Sequence, residues 1–195
     1  MSKLTLIGPA QWEETVRKSR FLAFADTVET PEQALAFIES RRVPEATHNC
    51  WAYLIGDEYR FYDDGEPGGT AGRPILQAIQ GQDCDHVVVL VIRWFGGIKL
   101  GTGGLVRAYG GCAAQCLRLA DKRPLVDMQR LDCHCPFADI GRVRARFESY
   151  GVNVKEEQFD AHGVRWILEL PQTQAAEFEE TLQNLTRGQA RCSAV

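Results

Sequence analysis

The chain has 195 residues, of which 45% are hydrophobic and 25% charged, ordinary globular fractions that exclude a disordered or fibrous protein. Its formal net charge of −4 gives no whole-molecule field for tight nonspecific nucleic-acid binding, so any polyanion site must be local. The longest strongly apolar run, Val87 to Ile92, is far short of the roughly 18 residues a membrane span needs, and the start carries no cleavage-type site, so no membrane partner and a cytoplasmic location are expected.

In chain order, Ser19 to Val28 predicts a strand, and Thr30-Pro31-Glu32 opens a helix that runs to about Arg42, with a capping residue and proline in the first turn. Asn49 to Ile55 and Glu58 to Tyr62 are aromatic-rich strands joined at the turn pair Gly56-Asp57, hence a hairpin. Pro74 to Gln80 reads as a short helix. His86 to Phe95 is apolar on successive residues, as a strand buried on both faces is. A long helical pattern from Gly103 to Ala120 ends at Asp121-Lys122-Arg123-Pro124, which marks a boundary between a domain of residues 1–122 and one of residues 124–195.

Beyond that break the order is strand (Val126 to Cys135), helix (Ala138 to Tyr150), strand (Val152 to Phe159), strand (Val164 to Leu170), helix (Thr173 to Thr186) and a tail strand near Arg191. The order βαββαβ is that of the ferredoxin-like fold, so the chain is expected to be α+β in both halves. Ile140, Val143, Phe147 and Tyr150 share one helical face, with Arg142, Arg144 and Arg146 off it.

Seven cysteines, an odd number in a chain too long to need staples, suit a reducing compartment. Cys112 and Cys116 continue an apolar helical stripe with Leu105, Tyr109 and Leu119 and read as core. Cys133-His134-Cys135 supplies only half of a zinc site and no second pair stands at finger spacing, so no metal is expected. No cofactor signature is present either.

Two loops could carry chemistry. The first, from Phe61 to Pro74, places Asp63, Asp64 and Glu66 within four positions and follows them with glycines and Thr70. Three such carboxylates repel unless they are solvated, paired with a base or holding a cation. His48, upstream, is a candidate acid or base near neutral pH. The second loop, from Arg93 to Tyr109, joins a strand end to a helix start through five glycines. Arg93, Lys99, Thr102, Gly103, Gly104 and Arg107 there are the residue types an anion needs beside exposed helix N–H groups. It is neither a Walker loop nor a dinucleotide fingerprint. No serine sits in a nucleophile elbow, and no cysteine has an assignable histidine partner.

At these loops the sequence closely resembles the IMPACT family, which includes the bacterial YigZ proteins. The matching stretches are Lys18-Ser19-Arg20-Phe21, His48 with Trp51-Ala52-Tyr53, Phe61 with Asp63-Asp64-Gly65-Glu66-Pro67 and Gly69-Thr70-Ala71-Gly72, and Arg93 through Tyr109. The resemblance implies a first domain like domain 2 of a small-subunit ribosomal protein and domain IV of elongation factor G, and a ferredoxin-like second domain like domain V of that factor. It also implies a role in translation, since eukaryotic members act in translational control. Two functions are therefore expected. One is a translation-linked regulator that binds RNA or the ribosome through the glycine-rich loop, with the Arg142 to Arg146 helix as a second contact. The other is an enzyme acting on a small phosphorylated metabolite or nucleotide through Asp63, Asp64 or Glu66 with His48.

Overall fold

The computed structural model describes residues 3–195. The chain forms two compact α+β units, the first ending at Leu125 and the second running from Val126 to Val195. No helix among the described residues is long and apolar enough to cross a membrane.

The first unit contains β1 (Leu4–Leu6), β2 (Ala10–Val16), β3 (Ser19–Thr27), α1 (Pro31–Arg41), β4 (His48–Ile55), β5 (Glu58–Tyr62), α2 (Gly72–Gly81), β6 (Val87–Trp94), α3 (Thr102–Leu119) and β7 (Lys122–Pro124). Its main sheet has the order β2-β3-β6-β4-β5, with every neighbouring pair antiparallel. Central β6 is buried on both faces because α2 and α3 cover one side and α1 the other. Val87, Val89 and Val91 point to the first core, and Val88, Leu90 and Ile92 to the second. The Gly56-Asp57 hairpin pairs Ile55 with Glu58 and Trp51 with Tyr62. Thr30 caps α1 by accepting the Gln33 N–H, with Pro31 opening the helix.

Two features of this unit depart from the expected pattern. The chain does not leave the domain at Asp121: Lys122–Pro124 returns as β7 to pair with β1, and the Leu125 N–H donates to the Lys3 carbonyl at 2.7 Å. On α3, Leu105, Tyr109, Cys112 and Cys116 are buried as the stripe requires, but Leu119 is 60% exposed because the helix ends beneath it.

The second unit contains β8 (Met128–Pro136), α4 (Ile140–Arg144), β9 (Asn153–Phe159), β10 (Gly163–Pro171), α5 (Gln172–Leu185) and β11 (Arg191–Ala194). Its antiparallel sheet order, β11-β8-β10-β9, with the element order βαββαβ, is ferredoxin-like. The helix expected over 138–150 is only five residues of α-helix between two 3-10 turns. The backbone tightens there through bonds such as Phe147 N–H to Arg144 C=O, and the aromatic pair turns inward. Phe147 meets Trp166 edge-on at 5.2 Å between ring centroids, and Tyr150 meets Phe178 at 5.5 Å. Such pairs add to burial.

The cysteines depart from the reduced expectation. Register sets Cys133 opposite Cys192 on β8 and β11, with Cα atoms 4.2 Å apart, and the two form a disulfide. Cys135 stays a buried thiol.

Candidate functional site

The acidic loop is built first by Asp63. Its Oδ1 accepts the N–H groups of Ala71 and Gly72 at 3.0 and 2.8 Å, and its Oδ2 accepts that of Gly69 at 2.8 Å. Asp64 sits at φ 45° and accepts the Asn49 N–H at 2.6 Å. Thr70 spends its hydroxyl on the Pro67 carbonyl at 2.6 Å. Asp63 and Thr70 hold the loop's own backbone and Asp64 ties it to β4, so main-chain donors offset the repulsion expected between Asp63 and Asp64.

Glu66 behaves differently. Its side chain is 4% exposed, and its Oε1 accepts from Arg93 Nη1 at 2.6 Å and from the Tyr109 hydroxyl at 2.7 Å. Burying a carboxylate is costly unless it is paired and hydrogen-bonded, and Arg93 on β6 with Tyr109 on α3 does both. Arg93 also reaches Ser19 Oγ at 3.3 Å, while its buried Nε has no partner among the described residues. Burial pushes the Tyr109 hydroxyl well above the ordinary tyrosine value, which keeps it protonated as a donor. Cys50, nearby on β4, is raised in the same way by burial, so it is no thiolate nucleophile.

His48 opens β4 at the rim of this network. Its Nδ1 lies 2.7 Å from the Asp64 carbonyl, which can only accept, so Nδ1 carries the proton. The other nitrogen, Nε2, is 3.6 Å from Glu66 Oε1. His48, Glu66, Arg93, Lys99 and Thr102 thus line one cleft of about 490 Å3, walled on its apolar side by Phe95, Leu100 and Leu105.

The start of α3 closes the cleft. Gly101 precedes the helix at φ 72°, a conformation that favours glycine, and the first intrahelical bond runs from the Leu105 N–H to the Gly101 carbonyl. The N–H groups of Thr102, Gly103 and Gly104 therefore come before the ladder, at the positive end of an 18-residue helix dipole. The loop before α3 is clamped at Gly96, where a Cβ would come 1.9 Å from the Lys18 carbonyl oxygen.

The remaining predicted residues lie elsewhere. Gly104 and Arg107 line a neighbouring groove with Glu14 and Arg17, which meets the cleft at Leu100. Gly103 has an ordinary φ and an open Cβ direction, so neither it nor Gly104 is there for a left-handed backbone. In the second unit, Arg142 is held by Asp139 and Arg144 by Glu157, while Arg146 lies beyond the end of α4 and makes no ion pair among the described residues. Phe95, Thr47 and Tyr109 were not expected in the site. Tyr109 carried a signal: a tyrosine on a buried helical stripe needs a partner for its hydroxyl.

The profile of the Impact N-terminal domain matches residues 17–117, and that of a domain of unknown function (DUF1949) matches residues 133–189. A Thermus thermophilus protein described as an IMPACT family member in the pol 5' region is 49% identical over 174 residues, covering 89% of this chain and 96% of its own. The Escherichia coli IMPACT family member YigZ is 33% identical over 195 residues, covering 96% and 95%. A solved crystal structure of a hypothetical protein aligns with 100% of this chain and 98% of its own at a TM-score of 0.78 and 32% identity.

Proposed function

Because this chain belongs to the IMPACT family, we propose that it is a translation-linked regulatory protein whose first unit binds RNA or the ribosome by holding a phosphate in the cleft at the start of α3. The observation that carries the reading is the state of Glu66. Its charge is already matched by Arg93 and Tyr109, so the field left in the cleft comes from Lys99 and the α3 N-terminus. Thr102 adds a hydroxyl donor there, and His48 Nε2 faces the same space. A helix N-terminus with a lysine beside it is suited to a phosphate oxygen and reads no base, so recognition through it is of the backbone. The link to translation rests on the family's eukaryotic members, and a likeness of the two units to domains IV and V of elongation factor G rests on the family resemblance alone.

Sedimentation of the protein with ribosomes, and filter binding to RNA, at low and high salt tests this reading. Binding is expected to fall steeply as salt rises, because phosphate contacts release counterions. Lys99→Ala should weaken it and flatten the slope by about one charge. Loss-free binding by Lys99→Ala at every salt concentration, or no binding by the wild-type chain, refutes it. The His48 geometry favours a second reading, acid–base chemistry on a phosphorylated metabolite, since a backbone carbonyl orients the ring and leaves Nε2 towards the cleft. A saturable thermal shift with a small phosphate ester but not with RNA would select it.

A further inference from the structure

Phe95 is not needed to build the phosphate site, yet it lines the same cleft as Lys99 and Thr102. The residue is 47% exposed and follows the end of β6, where Arg93 is buried. The backbone beneath it is fixed: the Phe95 N–H donates to Thr47 Oγ1 at 2.9 Å, and Gly96 is pressed against the Lys18 carbonyl. The Arg93 guanidinium lies 5.5 Å from the Phe95 ring centroid. Arg93 itself is 94% buried by side chain, lines the cleft, and is held by Glu66 and Ser19. An exposed aromatic ring on a fixed backbone, backed by a cation beside a phosphate-type site, is what a flat heterocycle stacks on.

We infer that the cleft takes one unstacked nucleotide, with its phosphate at the start of α3 and its base on Phe95. Leu100 and Leu105 form the apolar wall beside the ribose and the base edge. The volume, about 490 Å3, lies within the roughly 300–1,000 Å3 typical of small-ligand sites. The base of a duplex is already stacked and paired, so this arrangement selects a single strand or a free nucleotide over a double helix. Stacking tolerates every base, so little sequence preference follows. The inference rests on the phosphate reading above and adds to it a base-binding surface, hence a ligand class.

Anisotropy of dye-labelled pentaadenylate, competed by AMP, ribose 5-phosphate and inorganic phosphate, tests it in wild type, Phe95→Ala, Phe95→Tyr and Lys99→Ala. AMP is expected to compete about tenfold or more better than ribose 5-phosphate against wild type, and this advantage should vanish in Phe95→Ala and return in Phe95→Tyr. Inorganic phosphate should compete equally well with wild type and Phe95→Ala. If the labelled strand does not bind, direct thermal-shift titration of AMP against ribose 5-phosphate reads the same advantage. Pentaadenylate binding more tightly than AMP assigns a strand as the source, and AMP binding alone assigns a free nucleotide. Equal competition by AMP and ribose 5-phosphate, or an unchanged Phe95→Ala, overturns the base site while leaving the phosphate site standing. Failure of every phosphate-bearing probe on wild type overturns both. Circular dichroism melting of Phe95→Ala, a half-exposed position, is expected to match wild type and separates a lost contact from a lost fold.

Discussion

At the scale of single residues, Asp63 and Glu66 lie three positions apart and serve different parts of the unit. Asp63 accepts three backbone N–H bonds and so sets the path of its own loop. Asp63→Ala leaves those donors without their acceptor, at about 1–3 kcal/mol for each group that water does not reach. Its urea midpoint should fall well below that of wild type. Glu66→Ala strands the buried Arg93 cation, a change that typically costs about 3–5 kcal/mol. Lys99→Ala, on an exposed side chain, should leave the midpoint within about 0.5 kcal/mol of wild type and lose only ligand. A Lys99→Ala variant as unstable as Asp63→Ala would show that the lysine supports the fold. Three carboxylates in four positions are visible in the sequence, but which of them faces backbone and which faces Arg93 depends on a left-handed turn at Asp64. Residue spacing carries no information about that turn.

At the scale of elements, the long regular pieces were legible because one periodicity dominated each. Val87 to Ile92 is apolar at every position and becomes central β6, and α3 keeps its buried stripe from Leu105 to Leu117. Elements whose partners are distant were not legible. β1 and β7 are three residues each and pair across more than 110 positions. The α4 segment has a helical face, yet Gly141 weakens it and the packing of Phe147 and Tyr150 tightens its end. The Cys133–Cys192 disulfide belongs with these, since only the β8–β11 register brings the pair together. β11 is a four-residue edge strand, and the bridge ties it to β8 across a sequence separation of 59. Chain-entropy arguments put the stabilisation from closing such a loop at about 4 kcal/mol. Reduction, or Cys192→Ser, should lower the melting temperature of the second unit and speed amide exchange in β11 before the other strands. Identical melting with and without reductant would mean that the strand pairing of the largely exposed β11 alone holds it.

At the scale of the whole molecule, the two units carry different chemical sensitivities, which allows their independence to be read in the intact chain. Four of the five free thiols, Cys50, Cys84, Cys112 and Cys116, lie in the first unit, and burial raises each above the ordinary thiol value; Cys116 is pushed up to about 12. The folded unit therefore holds these protons more tightly than the unfolded chain. Their contribution to stability is complete below the unfolded value of 9.0 and is lost as pH rises from there through about 12 for Cys116. The second unit has one such thiol, Cys135, raised by burial to about 11, together with the disulfide. Raising pH from 8 to 10 under non-reducing conditions should then lower the first unit's transition more than the second's. Adding reductant at pH 7 should lower the second alone. A piece ending at Leu125 keeps β7 against β1 and should melt as the first unit does in the full chain, whereas a piece ending at Asp121 loses that pairing and should melt lower. A single transition that moves as one under both pH and reductant would show that the two units unfold together, and that neither is stable without the other.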